Sequence, residues 1–195
     1  MKASGIILSG GESSRMGVNK AFIEIKGKRI IDRISELLSS LFPEVIVVTN
    51  TPIDYACLNA RIVTDIFPQK GSLGGIYTGL FYSSHPHSMV VACDMPFLKK
   101  EVIEYLIGKI DNNDVIIPHL SDGYHPLHAI YSHRCLPFIE RLIEKDDLKI
   151  INFFMKVRVR EIKEKELSQV DPEFNAFINI NTPEDLKRIS ERDKK

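Results

Sequence analysis

Leu8-Ser9-Gly10-Gly11-Glu12-Ser13-Ser14-Arg15-Met16-Gly17-Val18-Asn19-Lys20 follows without a break on the short apolar run Ser4–Leu8 (SGIIL). Such a run, closed by paired glycines, reads as a buried strand leading into a turn. Glycines let backbone N–H groups turn inward and approach a phosphate closely. Ser13 and Ser14 add hydroxyl donors, and Arg15 and Lys20 add permanent positive charge. Arginine holds phosphate as a fork, whereas lysine acts as a mobile point charge. Two better-known phosphate loops are excluded. A P-loop has four residues between its glycines and then Gly-Lys-Ser/Thr. Here five residues separate Gly11 from Gly17, and Lys20 does not follow a glycine. The GxGxxG fingerprint is absent as well. The alternative to a phosphate loop is an ordinary surface loop.

Working outward, short apolar runs alternate with amphipathic stretches. Ile30–Phe42 reads as a helix, with Ile30, Ile31, Ile34, Leu37, Leu38 and Leu41 at helical spacing. Val45–Thr49, Arg61–Asp65, Ser88–Cys93, Asp114–Pro118, Leu127–Tyr131, Val157–Ile162 and Phe177–Ile180 read as strands. Gly74–Tyr82, Lys100–Ile110, His133–Lys145 and Leu148–Lys156 read as helices, the first weakened by its glycines. Thr182-Pro183-Glu184-Asp185 opens a last helix, with Thr182 as N-cap, Pro183 at the first helical position and acids in the first turn. Lys187–Lys195 reads as a frayed tail. Strand–helix alternation with near-continuous apolar strands predicts a mostly parallel sheet covered on both faces. There is no linker and no repeat, so one domain spans 1–195. In such sheets ligands sit at the carboxyl ends of strands, so polar residues just after strands carry the functional information.

The 195 residues carry 26 Lys+Arg and 26 Asp+Glu, with 44% hydrophobic residues. That apolar content supports a packed core and excludes disorder as the dominant state. Zero net charge argues against broad electrostatic binding to nucleic acid or an anionic membrane. Cys57, Cys93 and Cys135 lie far apart without a CxxC pair, which removes a zinc ribbon or thioredoxin-type site and fits a reducing compartment. The amino-terminal apolar run is far too short for a signal or a membrane span, so a cytoplasmic location is expected.

Val90-Val91-Ala92-Cys93-Asp94-Met95-Pro96 puts a carboxylate at the end of a hydrophobic strand, and Pro96 takes the chain out of the sheet. A hard oxygen there suits Mg²⁺ on a triphosphate; the alternative is a turn cap. His125 and His128 have odd spacing and would face opposite ways in an extended chain, so a histidine metal site is not expected. His85-Pro86-His87 reads as a surface turn. Arg158 and Arg160 share a face, which reads first as a solvated strand edge and otherwise as a phosphate contact.

GGESSRMGVNK resembles the signature of the molybdenum cofactor guanylyltransferases, the MobA family: roughly Leu-Ala-Gly-Gly-x-x-x-Arg-Met-Gly-x-x-Lys. That family sits within a wider group of Rossmann-like nucleotidyltransferases that includes sugar-nucleotide pyrophosphorylases. Ser9 departs from the pattern, replacing alanine with a small hydroxyl. Cytidylyltransferases acting on the same pterin usually carry alanine where this chain has Gly10, so Gly10-Gly11 leans toward guanine. Val63–Ile76 resembles the family's Asp-x-x-Pro-x-x-Gly-Pro-Leu-Ala-Gly-Ile segment, with Ser72 for Pro and Gly74 for Ala, both expected to loosen the loop. PLHAIY (126–131) and NINTPEDL (179–186, preceded by Phe177-Ile178) resemble two further family strings.

The resemblance implies a three-layer αβα Rossmann-like nucleotidyltransferase. It implies transfer of GMP from GTP to molybdenum-bearing molybdopterin, giving the guanine dinucleotide cofactor and pyrophosphate. It further implies catalytic roles for Arg15, Lys20 and Asp94, with Asp94 holding Mg²⁺. Nucleotide contacts are implied for Leu8, Ser9, Gly10, Gly11, Lys20, Asn50, Asp65 and Asp94. A carboxylate at 65 can accept from the N1–H and 2-amino edge of guanine, which cytosine lacks; the alternative for Asp65 is a helix or turn cap. Asn179 and Asn181, on one face of the expected last strand, are further phosphate or metal contacts, or strand-end caps. PLHAIY shapes the pterin side. Partners implied are GTP, the pterin cofactor, and cofactor-insertion proteins or molybdoenzymes in transient contact, with no nucleic acid and no membrane. Two rivals stand beside this: a same-fold enzyme with another nucleotide or acceptor (CTP, a sugar phosphate, a cobamide precursor, a phospholactate), and a non-catalytic cofactor-delivery adaptor.

Overall fold

The computed structural model describes residues 3–10, 19–180 and 185. The central strand β1 (Ser4–Leu8) pairs in parallel with β4 (Val45–Val48) on one side and β6 (His87–Ala92) on the other. β5 (Arg61–Val63) extends the sheet beyond β4, and β10 (Val159–Lys163) pairs in parallel with β7 (Val115–Leu120) at the opposite edge. The order is β10-β7-β9-β6-β1-β4-β5, with the two-residue β8 (Gly123–Tyr124) paired to β7. Among the described long strands β9 (His128–Ser132) alone runs antiparallel, between β6 and β7. Its direction follows from chain length: the connection from β7 is a short turn region, too short for the helical crossover a parallel return needs. A small hairpin, β2 (Glu24–Ile25) with β3 (Lys28–Arg29), stands apart.

Successive strand residues point to opposite faces, and the two faces build two cores. Ile7, Val47, Val91 and Ile130 pack with Ile30, Ile31, Ile34 and Leu38 of α1 (Ile30–Leu41) and with Val102, Ile103 and Leu106 of α3 (Lys100–Ile107). Ile6, Leu8, Ile46, Val48 and Val90 pack with Leu73, Ile76 and Leu80 of α2 (Gly71–Tyr82) and with Ile139 and Ile143 of α4 (Leu136–Glu144). The result is the expected three-layer αβα architecture with a mostly parallel sheet. Helix α2 runs despite its glycines because they serve packing. A Cβ on Gly79 would lie 2.5 Å from Ile6 Cγ2, so the helix approaches β1 more closely there than any side chain allows.

Several boundaries shift. α2 starts at Gly71 rather than Gly74. The 133–145 helix opens as a 3₁₀ turn, His133–Cys135, before α4, and 148–156 forms a 3₁₀ stretch, Ile150–Lys156. Phe177–Ile180 is not a strand. Phe177 closes a 3₁₀ turn begun at Asn175, and the chain leaves it extended but unpaired to a sheet. The backbone N–H of Ile180 instead donates to the carbonyl of Asp94, at 2.9 Å. The strand face proposed for Asn179 and Asn181 is therefore absent; Asn179 is exposed beside Asp94's chain, and Asn181 lies outside the described residues. The helix expected from Thr182 and the tail 187–195 also lie outside them, apart from Asp185, which is helical. Among the described residues no helix is long and apolar enough to cross a membrane.

Candidate active site

Parallel pairing in register brings several strand ends to one edge. Leu8 lies opposite both Val48 and Ala92, so Ser9, Thr49 and Cys93 leave the sheet side by side. The exits are tied by backbone bonds: Ser9 N–H to Val48 O at 2.9 Å, Cys93 N–H to Leu8 O at 3.1 Å, and Thr49 N–H to Val63 O at 3.0 Å. Gly10, Asn50, Asp65 and Asp94 follow these exits by one or two residues, which places four expected site residues along one edge.

Asp94 is mostly buried, and its Oδ1 has no hydrogen-bond partner among the described residues. Its Oδ2 lies 3.9 Å from Lys20 Nζ. Burial raises the Asp94 carboxyl above its ordinary range, and the Lys20 charge pulls in the opposite direction. A buried carboxylate oxygen with no donor is costly. A hard divalent cation satisfies such an oxygen by coordination, so the donor fits Mg²⁺. Lys20 begins a 3₁₀ turn, Lys20–Phe22, capped by Asn19, whose Oδ1 accepts from Ala21 N–H at 3.1 Å.

A cavity beside this pair is lined by Leu8, Gly10, Val48, Thr49, Asn50, Asp65, Gly71, Ser72 and Gly75. Asp65 is anchored here: its Oδ1 accepts from Thr78 Oγ1 at 2.7 Å and from Phe67 N–H at 3.1 Å. One oxygen of Asp65 thus caps the turn into α2, while Oδ2 faces Gly74. A Cβ on Gly74 would stand 2.9 Å from Phe67 O and 3.4 Å from Asp65 Oδ2. Gly74 therefore permits a tight 65–74 turn, correcting the expectation that glycine loosens it. A second, larger cavity of about 530 Å³ shares Gly71 and Ser72 with the first and reaches Tyr124, Pro126, Lys149 and Ile150.

Other candidates fall elsewhere. Arg158 binds Asp114 through its backbone N–H and guanidinium, and Arg160 binds Glu166 at 2.6 Å, so both are structural pairs. His128 is wholly buried with its ring 4.6 Å from that of Phe177; burial pushes it down to about 3. It therefore stays neutral and joins β9 to the segment that reaches Asp94. No group of three or more metal-binding side chains occurs among the described residues. Gly11, Ser13, Ser14, Arg15 and Gly17 lie outside them. Sequence reasoning missed Tyr55, which is fully buried at this edge. Its segment, Thr51–Ala60, has neither apolar periodicity nor a motif.

The sheet order, with Asp94, Lys20, Asn50 and Asp65 gathered near its carboxyl edge, is that of a Rossmann-like nucleotidyltransferase, and the comparisons agree. Residues 5–159 match a family model described as "MobA-like NTP transferase domain". The chain belongs to the MobA-like nucleotidyltransferase family. A "Molybdenum cofactor guanylyltransferase" of Desulfosudis oleivorans is 45% identical over 187 residues, covering 95% of this chain and 93% of that one. A "Probable molybdenum cofactor guanylyltransferase" of Natranaerobius thermophilus is 36% identical over 191 residues, with 95% and 93% covered. Among solved structures, "Molybdopterin-guanine dinucleotide biosynthesis protein A" from Archaeoglobus fulgidus superposes with a TM-score of 0.86 at 30% identity, covering 98% of each chain.

Proposed function

We propose that this chain transfers GMP from GTP to the terminal phosphate of molybdenum-loaded molybdopterin, releasing pyrophosphate and forming the guanine dinucleotide cofactor. The observation that supports this reading is the buried Asp94 oxygen, without a hydrogen-bond donor among the described residues, set beside Lys20 at the strand edge that also carries Gly10, Asn50 and Asp65. In this reading Asp94 would hold Mg²⁺, which when bound would offset phosphate charge and the charge developing on the leaving pyrophosphate.

Lys20, together with Arg15 from the preceding segment, holds the triphosphate. The backbone at Leu8, Ser9, Gly10 and Gly11 lies along it, since Gly10 leaves room for close approach. Asn50 meets the nucleoside, and Asp65 Oδ2 accepts from the donor edge of guanine, its partner oxygen already fixed by Thr78. The larger adjoining cavity, with Tyr124 and Pro126 from the segment leading into β9, takes the acceptor; Asn179 supplies a further phosphate or metal contact. A phosphate nucleophile is already ionised near neutral pH, so the residues work by positioning and charge stabilisation rather than as a strong base.

The test is pyrophosphate release with Mg²⁺, loaded molybdopterin and each of GTP, CTP, ATP and UTP. GTP is expected to support turnover at least tenfold better than the others. Equal or better use of CTP would overturn the base assignment, and no release with any nucleotide would favour a delivery adaptor.

A further inference from the structure

We propose that Tyr55 is a positioning residue that sets Lys20 opposite Asp94. The proposal rests on the functional reading above for what Lys20 does, and on geometry for how it is held. Tyr55 is fully buried. Its hydroxyl lies 2.6 Å from Ser9 Oγ and accepts from Asn19 Nδ2 at 3.0 Å. Ser9 and Asn19 are ten residues apart in the chain and are brought to one hydroxyl, at the point where β1 ends and the Lys20 turn begins.

The Asn19 side chain is fixed at both ends. Its Nδ2 is held by Tyr55, and its Oδ1 accepts from Ala21 N–H and caps the turn that starts at Lys20. The far end of the same three-residue turn is also held by Tyr55, whose ring lies 5.0 Å from that of Phe22. One side chain thus grips the turn through a hydrogen bond at its entrance and a ring contact at its exit. Between these two points Lys20 extends to within 3.9 Å of Asp94 Oδ2. Chained hydrogen bonds in a buried site reinforce one another, so loss of one link frees the next. The Ser9 hydroxyl, which stands where the family usually has alanine, gains a role: it ties this grip to β1, whose neighbour β6 leads into Asp94.

Two measurements on the full chain decide the matter. The first is a double-mutant cycle in kcat/KM for GTP with Mg²⁺ and loaded molybdopterin. Tyr55→Phe is expected to lower kcat/KM about tenfold in the native background but less than twofold in a Lys20→Ala background, because the effect passes through Lys20. Equal losses in both backgrounds would overturn the proposal. The second needs no substrate: amide exchange at Ala21 is expected to rise about tenfold in Tyr55→Phe under conditions where global unfolding is unchanged. Unchanged Ala21 exchange would overturn the proposal, whatever the chain's activity. Absence of turnover in the native chain would count against the functional reading alone, and exchange would still decide the role of Tyr55. Should Tyr55→Phe fail to fold, Ser9→Ala removes one hydroxyl partner without touching the ring. It is expected to raise Ala21 exchange severalfold, and no rise would again overturn the proposal.

Discussion

Lys20 Nζ stands 3.9 Å from Asp94 Oδ2, while the other oxygen of that carboxylate is buried with no hydrogen-bond partner among the described residues. Asp94 follows the end of β6 and Lys20 opens a 3₁₀ turn, 74 positions apart in sequence. A half-satisfied buried carboxylate is costly to the fold, and under the proposed function Mg²⁺ would satisfy it.

Asp94→Asn keeps the shape and removes the charge. Turnover with GTP and Mg²⁺ is expected to fall about a thousandfold, the scale of several kcal/mol of lost charge stabilisation. Thermal stability should stay equal or rise, because a desolvated charge is gone. Pyrophosphate release and a melting curve on the same preparation check both halves; a lower melting point with retained turnover would contradict them.

Lys20→Met keeps the stem and removes the ammonium. GTP is expected to bind about tenfold more weakly and kcat to fall as well, since a charge contact to phosphate acts in both the bound and the transition state. Calorimetric GTP affinity with steady-state kinetics reads this, and native values for both would remove Lys20 from the site.

Gly79→Ala tests the packing that holds α2 to β1. Helix propensity alone favours alanine by about 1 kcal/mol. The added methyl would meet Ile6 Cγ2 at 2.5 Å, far inside contact distance. Overpacking of this kind costs about 1–3 kcal/mol, so the variant is expected to be destabilised on balance. Urea unfolding at constant m-value measures it; a stabilised variant would show that α2 shifts freely.

His128 gives the fold an acid limb. Its folded value is lowered from an ordinary 6.5 to about 3 by burial, with the neighbouring His125 acting in the same direction. Below pH 6.5 the unfolded chain takes up a proton that the folded chain refuses, so stability is lost as pH falls from about 6.5 toward 3. The loss is of the order of a few kcal/mol. Glu44 and Asp114, whose carboxyls burial raises but hydrogen bonds, among them those from Ser4 and Arg158, lower on balance, add their own loss below about pH 4.5. Half-buried His133, also lowered by burial, adds a smaller share above that. His128→Leu should therefore flatten mainly the part between pH 6.5 and 4.5. An unaltered slope in urea unfolding across that window would contradict the assignment.

Much of this was legible in residue order. β1, α1, β4 and α3 stand within a few residues of where apolar spacing puts them, because each buries a continuous face. The strand-end positions of Gly10, Asn50, Asp65 and Asp94 followed from parallel pairing, once the strands were placed. Three features were not legible. Phe177–Ile180 has strand-like composition, yet its polar backbone is met by Asp94's carbonyl and by a turn, a tertiary choice that local pattern does not encode. Gly74 and Gly79 only weaken the helix reading of 74–82 in the sequence, because their value lies in what they touch, Phe67 and Ile6, which only the fold brings near. Tyr55 sits in an irregular stretch, and its meaning comes from partners 46 and 36 residues away.

A crystal structure with Mn²⁺ and a non-hydrolysable GTP analogue tests the roles of Asp94 and Lys20 most directly. Mn²⁺ is expected on Asp94, the triphosphate against Lys20 and Gly10, and guanine in the cavity beside Asp65. Nucleotide bound elsewhere, with Asp94 still paired only to Lys20, would contradict it.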